Sequence, residues 1–198
     1  MLLSPLVQEA QLFAGNFFHS FQLKNLPYHN LEHTRVVVKT AAELAQIMIS
    51  TPEEVEIVMI AAWFHDTGYS VKYLGHEEAS QQIVHNFLTQ QQVTPEFINA
   101  VIKCIQATKV PQNPRNQLEQ IICDADLGHL ASPNFIRLQD KLRQEWHIYL
   151  GKVYTNQEWL DETLMFLKNH QYQTTYAKEH WQAAKNQNIQ LLQTLFIR

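Results

Sequence analysis

Residues 55–70 read VEIVMIAAWFHDTGYS. Apart from Glu56, the run 55–64 is apolar, and Thr51-Pro52 stands just before it. A threonine hydroxyl can accept an orphan N–H of a first helical turn, and proline suits that turn. The run therefore predicts a buried helix over 52–65. His65 and Asp66 stand at its end, with Thr67-Gly68 directly behind. A carboxylate where a buried helix ends must be paired, because an unpartnered charge away from water is very costly. An imidazole beside it, with both groups facing a metal ion, would pair it well.

The same start signal recurs at Ser4-Pro5, Thr94-Pro95 and Ser132-Pro133, and the pairs Thr51/Glu54 and Thr155/Glu158 fit capping boxes. Only five glycines occur, and alternating strand patterns bounded by Gly or Asn-Gly turns are missing. Val36, Val37, Thr40, Ala41, Leu44 and Met48 share one face at helical period, and Phe97, Ile98, Val101, Ile102 and Ile105 share another. Helices are predicted at about 5–22, 31–49, 52–65, 76–91, 95–107, 117–131, 133–150, 156–169 and 175–195, with ends good to two to four residues. Residues 24–30 and 110–116 read as loops. The class is all-α: one helical domain over 1–198, in which residues from about 133 form a C-terminal helical extension packed on the core. The aromatics Trp63, Phe64, Trp146, Trp159 and Phe166 are expected in the interior, where large rings dominate burial.

Two further clusters accompany the His-Asp pair. Tyr28-His29-Asn30-Leu31-Glu32-His33 opens a helix, with His33 on the face of Val36, Val37 and Thr40. Asp124-Ala125-Asp126-Leu127-Gly128-His129 follows the apolar positions Leu118, Ile121 and Ile122. Asp126 is the better ligand candidate there, and Asp124 could cap or orient. Imidazole and carboxylate together suit Mn, Fe, Co, Ni or Zn, and Mg alone less well. Two histidines and two aspartates would leave places on such an ion for water and a phosphate oxygen, which the ion would polarise.

Tyr28-His29-Asn30-x-x-His33, then His65-Asp66, then Asp126 is similar to the signature of the HD-domain metal-dependent phosphohydrolases. HDTGY, GHEEAS and DADLGHL resemble the small bacterial members, and the likeness runs through nearly the whole chain. The resemblance implies an HD-type helical bundle holding one divalent metal ion (Mn, Fe, Co, Ni or Mg) on His33, His65, Asp66 and Asp126. It implies hydrolysis of a nucleotide or related phosphate ester or anhydride by a metal-activated water. Asp66 then serves both metal and catalysis. His29 matches the position that protonates a leaving oxygen in the cyclic-nucleotide branch, and Glu77 could orient water or act as general base. His76 could do the same or touch substrate, and Lys72, Lys109 and Arg115 are candidate phosphate contacts. Glu77 and Glu78 also suit a helix start for dipole reasons alone. His85, His129, His147, His170 and His180 read as ordinary core or surface residues. His76 and His85 are the only histidines between the His-Asp pair and Asp126, which favours one metal over two. The competing readings are a nucleotide-binding sensor without turnover and an HD-type di-iron oxygenase.

The net charge of −4 does not suit a chain whose task is gripping nucleic acid, which needs a basic patch. No apolar run approaches the roughly 20 residues that span a bilayer, and MLLSPLVQEA lacks the basic start and clean apolar centre of a signal peptide. The expectation is a cytoplasmic monomer or homodimer with a small phosphorylated substrate and no membrane or nucleic-acid partner. Cys104 and Cys123 lie in apolar helical stretches and read as buried free thiols, since a disulfide framework needs more cysteines.

Overall fold

The computed structural model describes residues 3–20, 23–48 and 51–195. Among these it contains α-helices, short 3-10 segments and no strand, so the chain is all-α. The helices are α1 (Pro5–Ser20), α2 (Leu31–Met48), α3 (Pro52–Phe64), α4 (His76–Gln90), α5 (Pro95–Ala107), α6 (Gln117–Asp126), α7 (Phe135–Leu150), α8 (Asn156–Asn169), α9 (Thr175–His180) and α10 (Gln182–Leu195). The expected ends of the first two helices at residues 22 and 49 lie outside the described residues. No helix among those described is long and apolar enough to cross a membrane. The chain divides into two compact units, residues 1–126 and 127–198.

In the first unit α3 is the central element. Val55 and every residue from Ile57 to Phe64 are buried, the pattern of a helix surrounded by others rather than one with a wet face. It contacts α1, α2, α5 and α6. Thr51 Oγ1 accepts from Glu54 N and donates to Glu54 Oε2, which fixes where α3 begins. Phe64, at its far end, is fully buried, and its ring lies 5.4 Å from Phe13 and 5.0 Å from Phe87. Burial of such a ring is worth about 2–3 kcal/mol, so the end of α3 is held rigidly where His65 and Asp66 emerge. A smaller cluster of Phe18, Leu23 and Leu26 takes Leu31, Tyr69 and Tyr73 against it, tying the start of α2 to the turn after α3.

In α2 the buried positions are Thr34, Val37, Val38, Ala41, Leu44 and Ala45, and Val36 is exposed. The inward stripe is therefore rotated from the expected one by about one residue. Cys104 and Cys123 are both buried as free thiols, and Cys123 Sγ donates to Ala107 O.

The second unit packs Leu127, Leu130, Phe135, Leu160, Leu167 and Leu192 into its own core. Three boundaries here differ from expectation. The helix expected over 117–131 ends at Asp126, and Leu127–Ala131 tightens into a 3-10 segment at Gly128, which weakens a helix interior. The helix expected from residue 133 starts at Phe135. Ser132 accepts instead from Asn134 N on its hydroxyl and from Phe135 N on its carbonyl, a turn that precedes the helix. The helix expected over 175–195 breaks at Trp181, whose ring meets those of Tyr172 and Tyr176 edge-on. Phe166, expected inside, is more than a third exposed.

Candidate metal centre

His65 closes α3. Its Nδ1 donates to Ala62 O at 2.8 Å, which leaves Nε2 as the ring atom that can lose its proton and bind a metal. Asp66 follows in a turn that becomes the 3-10 segment Thr67–Ser70. Three bonds hold this turn. Thr67 Oγ1 donates to Phe64 O, Gly68 N donates to Ser80 Oγ, and Ser80 Oγ donates to His65 O at 2.6 Å. Gly68 has no room for a side chain, since a Cβ there would lie 1.9 Å from His76 O. That close approach docks the first turn of α4 on the turn behind Asp66.

His33 is placed by Asn30. The Asn30 side chain accepts from Glu32 N and His33 N and donates to Leu26 O and Pro27 O. The ring of Tyr28 flanks His33 with centroids 4.9 Å apart. Asp126 arrives as the last residue of α6.

These elements bring four side chains to one point. His33, His65 and Asp66 each offer a ligand atom, and the three atoms lie within 4.8 Å of one another. Asp66 Oδ2 is 3.1 Å from His65 Nε2 and 3.4 Å from His33 Nε2. Asp126 Oδ1 is 3.3 Å from His33 Nε2 and 3.7 Å from His65 Nε2. His33 Nε2, His65 Nε2 and Asp66 Oδ2 are buried and make no hydrogen bond. Buried polar atoms are rarely left so, and lone pairs this close repel unless a cation lies between them. The donor set therefore fits a divalent ion, with two carboxylates to balance its charge.

The electrostatics agree. Burial disfavours protonation of His65, but the charges of Asp66 and Asp126 outweigh it and raise its pKa to about 9. Burial pushes Asp66 up, and His65 more than offsets this, holding the carboxyl well below its usual range. Asp126 is lowered in the same sense, with His33 and His65 overcoming burial. The site is thus a field that attracts positive charge to the imidazole nitrogens.

Around it lie three further groups. His76 Nε2 is 3.4 Å from Asp66 Oδ1, the oxygen other than the one facing His65 and His33. His29 Nε2 is 3.4 Å from Tyr69 OH, and the Tyr69 ring stacks on His76 at 3.8 Å. Glu77 is buried with Oε2 unbonded, 3.9 Å from His76 Nδ1. Lys72 and Lys109 are exposed, and both pair with Glu78. The hydrogen bond from Lys109 holds the Glu78 carboxyl at a pKa of about 2. Arg115 is exposed before α6, with its backbone N–H donating to Glu119. Sequence reasoning brought His29, His33, His65, Asp66, His76, Glu77 and Asp126 to notice but passed over Tyr69 and Ser80. Tyr69 was readable as the aromatic of HDTGY. Ser80 was not, because its role depends on a contact 12 and 15 residues away.

Residues 30–130, just over half of the chain, match the family model of the HD domain. The chain belongs to the HD-domain family. The matched segment of this HD protein contains His33, His65, Asp66 and Asp126. No curated protein matches it. Two solved structures resemble it. One is a predicted HD superfamily hydrolase from an uncultured Thermotogales bacterium, with 17% identity and a TM-score of 0.62, covering 96% of this chain and 91% of that one. The other is the Lin1889 protein of Listeria innocua, with 21% identity and a TM-score of 0.61, covering 94% of this chain and 95% of its own. At these identities the likeness is one of fold.

Proposed function

We propose that this HD protein is a metal-dependent phosphohydrolase of nucleotides or related phosphate esters and anhydrides. The observation that carries the reading is the convergence of His33 Nε2, His65 Nε2, Asp66 Oδ2 and Asp126 Oδ1, three of them buried without a hydrogen bond. A divalent ion on these four would polarise a phosphoryl oxygen and bring the pKa of a bound water toward neutrality. His33 and His65 bind through Nε2, with Ala62 O fixing the tautomer of His65. His76 orients Asp66 through its second oxygen. His29 is half-buried and within reach of Tyr69 OH, and in this reading it gives a proton to the leaving oxygen. Glu77, buried beside His76, keeps an unbonded oxygen with which to hold a water or accept its proton. One metal is favoured, since of the two histidines between Asp66 and Asp126, His85 is exposed on α4 and His76 alone stands beside Asp66.

The test is a hydrolysis screen on metal-stripped protein. It covers NTPs, dNTPs, monophosphates and cyclic nucleotides, each with Mn, Mg, Co, Ni or Fe(II), beside an Asp66→Ala variant. Metal-dependent turnover that disappears in the variant supports the reading and names the substrate group. Metal binding with no turnover would replace it with a nucleotide sensor. Two irons per chain with oxygen consumption would replace it with an oxygenase.

A further inference from the structure

The second unit contains a cavity of about 550 Å³ formed at the end of α8, by the segment after it, and by α9 and α10. Lys168, His170, Lys178 and Lys185 line it, and among the described residues no acidic side chain does, although the whole chain carries a net charge of −4. Lys185 is 2% exposed. Its Nζ donates to His170 O at 2.6 Å and to His170 Nδ1 at 3.3 Å, and lies 5.3 Å from the centre of the Tyr172 ring. All three partners are neutral, and among the described residues no carboxylate pairs with Lys185. Since His170 Nδ1 accepts from Lys185, the ring proton belongs on Nε2, and that atom is buried with no hydrogen-bond partner.

The position of Lys185 at the C-terminal end of α8 explains part of this. The last carbonyls of a helix carry partial negative charge and attract a cation. Partial charge does not balance a full ammonium with this little exposure, where an ion without a counter-charge is disfavoured. Two more lysines, exposed on α8 and α9, line the same cavity. An incoming anion would remove the imbalance and would find the third Lys185 proton, with Lys168, Lys178 and Gln182 also among the lining residues. The cavity volume lies in the roughly 300–1,000 Å³ range of small-molecule sites, so the space exceeds what a bare ion needs.

We propose that this cavity binds a small organic anion of the phosphate-ester kind, with Lys185 as the low-exposure counter-charge and Lys168 and Lys178 also lining it. The site shares no residue with the metal centre and stands independently of the reaction proposed there.

Calorimetric titration of the full chain, freed of metal by chelation, tests it with inorganic phosphate and phenyl phosphate as probes. Phenyl phosphate is expected to bind at millimolar concentration or below, and inorganic phosphate more weakly. Lys185→Met should weaken both by about tenfold or more, the loss of one charge-assisted contact, while Asp66→Ala leaves both unchanged. Circular dichroism checks that Lys185→Met is folded. If it is not, the exposed pair Lys168→Gln/Lys178→Gln decides, with a weakening of several-fold expected. No binding by the parent chain, binding indifferent to the lysine substitutions, or binding lost in Asp66→Ala would each overturn the proposal.

Discussion

A Cβ on Gly68 would lie 1.9 Å from the backbone oxygen of His76, so the turn behind the His-Asp pair and the first residue of α4 meet backbone to backbone. A substitution there cannot be absorbed by a side-chain rotation. Gly68→Ala is expected to push α4 away from Asp66 and to cost about 3 kcal/mol or more, the upper part of the overpacking range. A denaturant melt of the metal-free protein measures this, and weaker metal binding should accompany it. A Gly68→Ala protein with unchanged stability and metal affinity would refute the account.

The metal-free protein should lose stability as pH rises through the alkaline range. His65 has a folded pKa of about 9 against about 6.5 when unfolded. Its raised pKa stabilises the fold fully below about 6.5, and this contribution drains away as pH climbs through about 9. The ceiling is about 3 kcal/mol. Asp66 and Asp126 are lowered, so their contribution is present above about 4 and lost as pH falls. Metal ligation requires His65 unprotonated, so at neutral pH binding should release about one proton per ion. Melting temperatures from pH 5 to 10, with and without Mn(II), check the first point, and titration in two buffers checks the second.

Asn30 gathers two N–H groups and two carbonyls around the start of α2. Asn30→Ala is expected to cost about 1–2 kcal/mol, as for other helix caps, and to loosen His33. A drop in metal affinity larger than the drop in stability would show that the cap serves the ligand as well as the helix.

Tyr69 offers a finer division. Tyr69→Phe keeps the ring on His76 and removes the hydroxyl from His29. Metal binding should stay at the parent value, and kcat should fall by a smaller factor than the 10²–10⁴ typical of removing a general acid, which is the loss expected for His29→Ala. Equal losses in the two variants would make Tyr69 OH itself the proton donor.

Much of this was readable in the amino-acid order, for local reasons. Thr51, Thr94 and Thr155 cap helices because a hydroxyl next to a helical start has few other uses, and the apolar run through Phe64 admits no wet face. His33, His65, Asp66 and Asp126 stood out because each is a polar group where its neighbours demand burial. What was not readable depends on contacts distant in sequence. Ser80 is one serine among several until α4 docks and its hydroxyl joins His65 O to Gly68 N. The break at Trp181 follows from rings that meet only after folding. Lys72 and Lys109 looked like phosphate contacts, and their common partner Glu78 appears only in three dimensions. Lys185 carried no signal at all, since burial of a lysine beside another helix end is not written in its neighbours.

The two cysteines give the chain an internal clock. Cys104 and Cys123 are the only thiols in the sequence and both are buried, so burial raises both thiols above their ordinary range. A maleimide added to the native protein meets no reactive thiolate until the first unit opens, so its rate of uptake counts opening events. One cysteine engineered on the surface would then be labelled alone, letting a fluorophore report from a chosen helix while the native pair stays silent.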